Sequence, residues 1–264
     1  MRLAVIGHGT IARYAMERLK ERGHRIVALV LRPERIAETR ACGPDGPVLV
    51  SSAGDLPDGI DHVIDCAGHA GLAAHGPAVL AAGHDLTTVS AGALADPALH
   101  DALAGAAQAG GARLCIASGA VGALDCLRAA RVGGLRAVRY VGRKPPRGWI
   151  GSPAEHMLDL DGMHGPALTH FTGTARQAAL VYPKNANVAA AVALSGLGFD
   201  ATEVALVADP QVSRNVHEIH VEGEFGTFEF RIEGTALPDN PRSSALAAMS
   251  VVSALERHDA PIVF

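Results

Sequence analysis

Aromatic residues are scarce in this chain. They make up 4% of its 264 residues, with one tryptophan, three tyrosines and six phenylalanines. A core for a chain of this length must therefore come from Ala, Val and Leu, in a sequence that is 48% hydrophobic. That composition suits helices packed on buried parallel strands. Excess charge is missing too: a formal net charge of −4 offers no basic field, so neither nucleic acid nor an anionic membrane is expected as a partner. Cysteine is limited to Cys42, Cys66, Cys115 and Cys126, with no C-x-x-C pair. A disulfide framework and a zinc site are thus not expected, and buried free thiols in a reducing compartment are. No apolar run is long enough to cross a bilayer, and the first residues enter a strand at once, leaving no room for a signal peptide. The expectation is a cytoplasmic protein.

What is present begins with MRLAVIGHGTIARYAMERL. An apolar strand (Leu3 to Ile6) runs into G-H-G-T-I-A and then into a helix with Ile11, Ala15 and Leu19 on its apolar face. A strand, a glycine turn and a helix N-terminus aim free backbone N–H groups and a positive dipole end at a pyrophosphate. In that reading Gly7 makes the turn, Gly9 lets the ligand approach, and Thr10 and Ile11 open the helix. Ala12 stands where a third glycine normally allows close packing. HRIVALVLR and DHVIDCAG read as further buried strands. They alternate with alanine-rich helices, one of them Pro97 to Ala109. Such alternation predicts an α/β fold, a Rossmann-type doubly wound parallel sheet covered on both faces.

From about Leu135 the pattern shifts to polar-alternating strands, with a hairpin over Val216 to Glu233. We therefore expect a dinucleotide-binding domain over residues 1–134 and, over 135–264, a second α+β domain containing an antiparallel sheet. The last helix, 243–258, has Ser243 or Ser244 as its cap and can return to the first domain.

The end of the second strand selects the dinucleotide, because an acid there bonds the ribose hydroxyls of NAD while an arginine pairs with a 2′-phosphate. The stretch VALVLRPER puts Arg32 at that point and Arg35 close behind. NADP is therefore expected to bind at least as well as NAD. CAGHAG, with Ala67, and SGAVGALD each follow a predicted strand and supply further small-residue turns for the cofactor.

VIGHGTIA, SGAVGALD, GRKPP, YPKNANVAAAVALSG, NVHEIHVEGEFG and DNPRSSALAAMSVVSAL occur in this order along the whole chain. Together they resemble the L-aspartate dehydrogenases. The resemblance implies an NAD(P)-dependent oxidation of L-aspartate to iminoaspartate, which hydrolyses to oxaloacetate and ammonia or feeds NAD biosynthesis; the reverse is reductive amination. It also implies a second domain that supplies the substrate site and the contacts of a homodimer. Position by position, the family's catalytic histidine matches His217, and its nicotinamide contacts match Ala120 and Asn187. His8 and Ala12 depart from the family pattern.

The residues themselves support this chemistry. Hydride can leave an amino acid's α-carbon only once the amine is uncharged, so a base of near-neutral pKa is useful, and histidine supplies one. His217 stands on a predicted strand between Asn215 and Glu218, and alternation sends His220 to the other face. Two substrate carboxylates call for cations and amide or hydroxyl donors. Lys184 is the first choice, with Asn185 and Ser243. Arg143, Lys144, Arg242 and Ser244 are further candidates. The run His156 to His164 lacks the helical spacing of metal ligands, and no metal is expected. Two other readings fit the first half alone. One is a reductase of the homoserine dehydrogenase or dihydrodipicolinate reductase kind, and the other is a redox sensor that binds NADP without turnover.

Overall fold

A computed structural model describes residues 1–39, 46–237 and 240–262. The chain divides into two compact units. One comprises Met1–Ala93, Pro97–Ala117 and Ala248–Phe264, and the other Leu94–Asp96 and Ser118–Ala247.

The first unit alternates strand and helix: β1 (Arg2–Ile6), α1 (Thr10–Glu21), β2 (Arg25–Val30), α2 (Pro33–Thr39), β3 (Val48–Val50), β4 (His62–Asp65), α3 (Gly68–Ala81), β5 (Leu86–Thr88), α4 (Pro97–Gly110) and β6 (Leu114–Ile116). The six strands pair in the order β3-β2-β1-β4-β5-β6, every pair parallel. This is the doubly wound Rossmann arrangement, whose order reverses between β1 and β4 and opens a crevice at the carboxyl ends of those strands. Leu3 and Val5 of β1 pack with Met16 and Leu19 of α1 and Ile64 of β4. The last helix, α8 (Ala245–Asp259), joins the same core through Val251, Val252 and Leu255.

The second unit holds α5 (Leu124–Gly133), β7 (Leu135–Lys144), β8 (Leu168–Thr174), α6 (Ala175–Val181), α7 (Asn187–Ser195), β9 (Glu203–Ala208), β10 (Asn215–Gly223) and β11 (Gly226–Gly234). Two short strands, β12 (Ala236–Leu237) and β13 (Asn240–Ser244), form a separate pair. Helix α7 buries nearly its whole circumference, from Val188 to Ala193. Its small side chains let it lie close to β7, α5 and α6.

Two sequence expectations change here, and a third gains a detail. The units divide at Ala117/Ser118 rather than at 134/135, because α5 packs with α7. The sheet, ordered β11-β10-β7-β9-β8, is antiparallel as expected at three of its four pairs. Strands β7 and β9 run parallel, joined by a crossover through β8, α6 and α7 long enough to reverse direction. Finally, Cys66 and Cys115 are only partly buried and Cys126 is exposed, all three as free thiols; Cys42 lies outside the described residues.

Candidate active site

The glycine turn after β1 has the features of an anion cradle. Gly7 has φ +95°, and a Cβ there would meet Ala67 at 3.2 Å, so this position needs glycine for both conformation and approach. Gly9 has open space where its Cβ would stand. It is the N-cap of α1 with no side-chain cap, and no acid stands in the first turn that Thr10 and Ile11 begin. The first N–H groups of the helix therefore face outward without a side-chain acceptor.

The neighbouring turn is braced by a residue the sequence reading passed over, Asp65 at the end of β4. Its buried carboxylate accepts from Thr88 Oγ1 at 2.7 Å, Ser90 Oγ at 3.1 Å and the Ala67 backbone N–H at 3.0 Å. Burial raises its pKa from the ordinary value, against the pull of those donors. Ala67 stays exposed at the start of α3. Arg32 follows β2, its side chain 76% exposed and, among the described residues, in a long contact of 3.7 Å with Glu34; Arg35 pairs with Glu38.

The second unit gathers its polar groups on one face of its sheet. His217 of β10 lies opposite Gly142 of β7, and Ile219 opposite Tyr140. Alternation along β7 then places Tyr140, Gly142 and Lys144 on the face that His217 occupies. His217 is 5% exposed, and its Nδ1 lies 2.8 Å from the Tyr140 hydroxyl. Burial first, and the Lys144 ammonium second, lower its pKa to about 4. The expectation of a near-neutral base is thus corrected for the protein alone: the imidazole is uncharged because the sheet face is dry. His220 is half exposed and pairs with Glu229.

The two cations of GRKPP separate sharply. Arg143 faces away from Lys144 and is neutralised by Asp209 at 3.0 Å and Glu218 at 3.8 Å. Lys144 is 7% exposed, donates to Asn185 Oδ1 at 2.6 Å and lies 4.9 Å from the centre of the Trp149 ring. Among the described residues no carboxylate is ion-paired to it, and burial lowers its pKa to about 8. Lys184, the first choice from sequence, is exposed in the turn before α7. Strand alternation shows in sequence that Arg143 and Lys144 point to opposite faces, but not which of the two faces is buried.

Asn187 begins α7 half-buried, and Ala120 is buried in the turn after β6. Ser243 is half-buried in β13, and Ser244 Oγ is buried without a partner among the described residues. The Arg242 side chain lies outside what is described. One group of described residues has metal-ligand spacing, His62, Asp85 and His258, outside the His156–His164 run. There the Arg113 guanidinium stands 3.0 Å from Asp85 Oδ2 and 3.5 Å from His258 Nδ1, so the Asp85 carboxylate has a cation partner from the protein.

A family model described as "Aspartate dehydrogenase, C-terminal" matches residues 125–258, and one described as "Homoserine dehydrogenase, NAD binding domain" matches residues 7–117. The L-aspartate dehydrogenase of Ruegeria pomeroyi is 53% identical over 262 residues, covering 99% of this chain and 94% of its own. That of Pseudomonas aeruginosa is 44% identical over 262 residues, covering 98% and 97%. Among solved structures, aspartate dehydrogenase from Thermotoga maritima superposes with a TM-score of 0.76 at 24% identity, over 100% of this chain and 99% of that one.

Proposed function

The chain belongs to the L-aspartate dehydrogenase family, and from that premise we propose that it oxidises L-aspartate to iminoaspartate with NAD or NADP, or runs the reverse reductive amination. The observation that carries the reading is the pairing, on one buried sheet face, of an uncharged His217 with an ammonium, Lys144, that has no carboxylate partner among the described residues. A dicarboxylate supplies the anion that Lys144 lacks.

His217 takes the proton that must leave the substrate ammonium before the C=N bond can form. Binding the anion also improves the base: it neutralises Lys144, the second cause of the low His217 pKa, and a nearby negative charge favours the imidazolium. Asn185 orients the Lys144 ammonium. Lys184 and Ser243 remain candidates for the outer carboxylate. Gly7, Gly9, Thr10, Ile11 and Ala67 fit a pyrophosphate, Arg32 a 2′-phosphate, and Ala120 and Asn187 the nicotinamide. When bound, the oxidised dinucleotide accepts the hydride from the α-carbon. The iminoaspartate hydrolyses to oxaloacetate and ammonia or feeds pyridine nucleotide biosynthesis in the cytoplasm. A homodimer is part of the same proposal, supported by the nine-residue β11 at the sheet edge.

Purified protein mixed with L-aspartate and each oxidised cofactor should generate the absorbance of reduced nicotinamide. Activity with homoserine instead would favour the homoserine dehydrogenase reading. Dinucleotide binding with no turnover on any amino or hydroxy acid would favour the redox sensor.

A further inference from the structure

We infer that Tyr140 is a positioning residue for His217, and that position 142 is kept free of a side chain so that the Tyr140 hydroxyl can reach it. The inference rests on the reading of His217 as the proton-transfer group. Tyr140 is not the direct cross-strand neighbour of His217. Gly142 holds that place, and the phenol reaches across it on the diagonal. The two rings lie nearly parallel, with centroids 6.0 Å apart and planes at 20°. A Cβ on residue 142 would stand 2.7 Å from the Tyr140 hydroxyl and 3.2 Å from Leu206 Cδ2. Even alanine would therefore push the hydroxyl off the imidazole or force the sheet face apart.

The chemistry explains why such a contact matters. A neutral imidazole carries its proton on either nitrogen, and a ring with no partner at Nδ1 populates both forms and can turn. The hydrogen bond at Nδ1 pins the ring and leaves Nε2 for the substrate. A hydroxyl suits both halves of a proton transfer. It donates to a bare Nδ1 when Nε2 holds the proton, and it accepts from Nδ1–H when Nε2 is bare or when the ring is cationic. A carboxylate in this position would instead draw a permanent charge onto the ring. The charged groups that act on this pair are Lys144 of β7, on the same face, and Glu218 of β10, from the opposite face. Burial pushes the Tyr140 phenol far above its ordinary range, so the hydroxyl keeps its proton throughout and only switches partner roles.

The test is Tyr140→Phe, which removes one oxygen and keeps the ring, read by steady-state kinetics and by nitrogen-15 spectra of the histidine side chains. The expected result is a roughly 10- to 100-fold fall in kcat, part of what a positioned base contributes, with KM for aspartate nearly unchanged. The His217 nitrogen-15 shifts should move as Nδ1 loses its hydrogen-bond partner. Gly142→Ala is the second variant and leaves both partners chemically intact. If it acts through the hydroxyl, the double variant is no slower than Tyr140→Phe alone. Full kcat in Tyr140→Phe with unchanged nitrogen-15 shifts would overturn the inference, and so would additive losses in the double variant. A wild-type protein inactive on aspartate, whose His217 nitrogen-15 shifts nevertheless move in Tyr140→Phe, would uphold the positioning and sink the substrate assignment.

Discussion

Replacing Lys144 with methionine should move stability and substrate binding in opposite directions. Methionine fills nearly the same volume without the charge. In the folded protein the ammonium titrates at about 8 against an ordinary 10.5, a gap that corresponds to roughly 3 kcal/mol of unfavourable burial at neutral pH. Removing the charge recovers that amount. It forfeits about 1–2 kcal/mol for the bond to Asn185 and the contact with the Trp149 ring. The net is a gain of about 1 kcal/mol or more, or a few degrees in Tm for a chain of this size. A charge-assisted bond to a substrate carboxylate contributes about 1.5–3 kcal/mol, so KM for aspartate should rise roughly 10- to 150-fold while cofactor affinity holds. Differential scanning calorimetry and initial-rate kinetics on one preparation provide both readings. A lower Tm with an unchanged KM would make Lys144 a structural cation and remove the argument for an anion site on this face.

Arg32→Asp should weaken NADP selectively, by about 1–3 kcal/mol, as read by fluorescence titration; equal losses for NAD and NADP would reject Arg32 as the 2′-phosphate contact. Succinate, which does not titrate near pH 8, should bind less well as pH rises through about 8 and the Lys144 ammonium discharges, with dissociation constants approaching a tenfold rise per pH unit. Binding flat to pH 10 would contradict this. His62, His170 and His217 all titrate at about 4 in the folded chain against an ordinary 6.5. Between those values the unfolded chain takes up protons that the folded chain refuses, so stability is intact above 6.5 and falls as pH drops toward 4. The slope should approach roughly 4 kcal/mol per pH unit if all three contribute. Chemical denaturation across this window measures it, and His62→Asn should reduce the proton uptake on unfolding by one.

The sequence exposed those parts of the fold that rest on short-range pattern. The Gly7 turn, the buried strands after it and the β10–β11 hairpin follow from spacing alone. So does the opposite facing of His217 and His220. Features set by tertiary pairing were not visible. The parallel register of β7 with β9 depends on a crossover of more than fifty residues, and the place of α5 depends on its packing with α7. The sequence ranks Lys184 above Lys144 for a related reason. Local sequence shows a cation beside Asn185 and Asn187, but only the folded sheet shows that Arg143 is already neutralised and Lys144 is not. Asp65 and Tyr140 escaped notice because an acid at a strand end and a tyrosine inside a strand are ordinary in sequence; their partners, Ser90 and His217, stand 25 and 77 residues away.

In the proposed reaction, hydride leaves the α-carbon of L-aspartate for the nicotinamide. L-Aspartate deuterated at that carbon, incubated with the protein and the oxidised cofactor, tests it directly by mass spectrometry of the reduced dinucleotide. One deuterium should be retained on the nicotinamide ring with the wild-type protein and on His220→Ala, and the amount formed in the same time should fall roughly 100- to 10,000-fold on His217→Ala. Deuterium released to water, or a reduced dinucleotide without label, would rule out direct hydride transfer from that carbon.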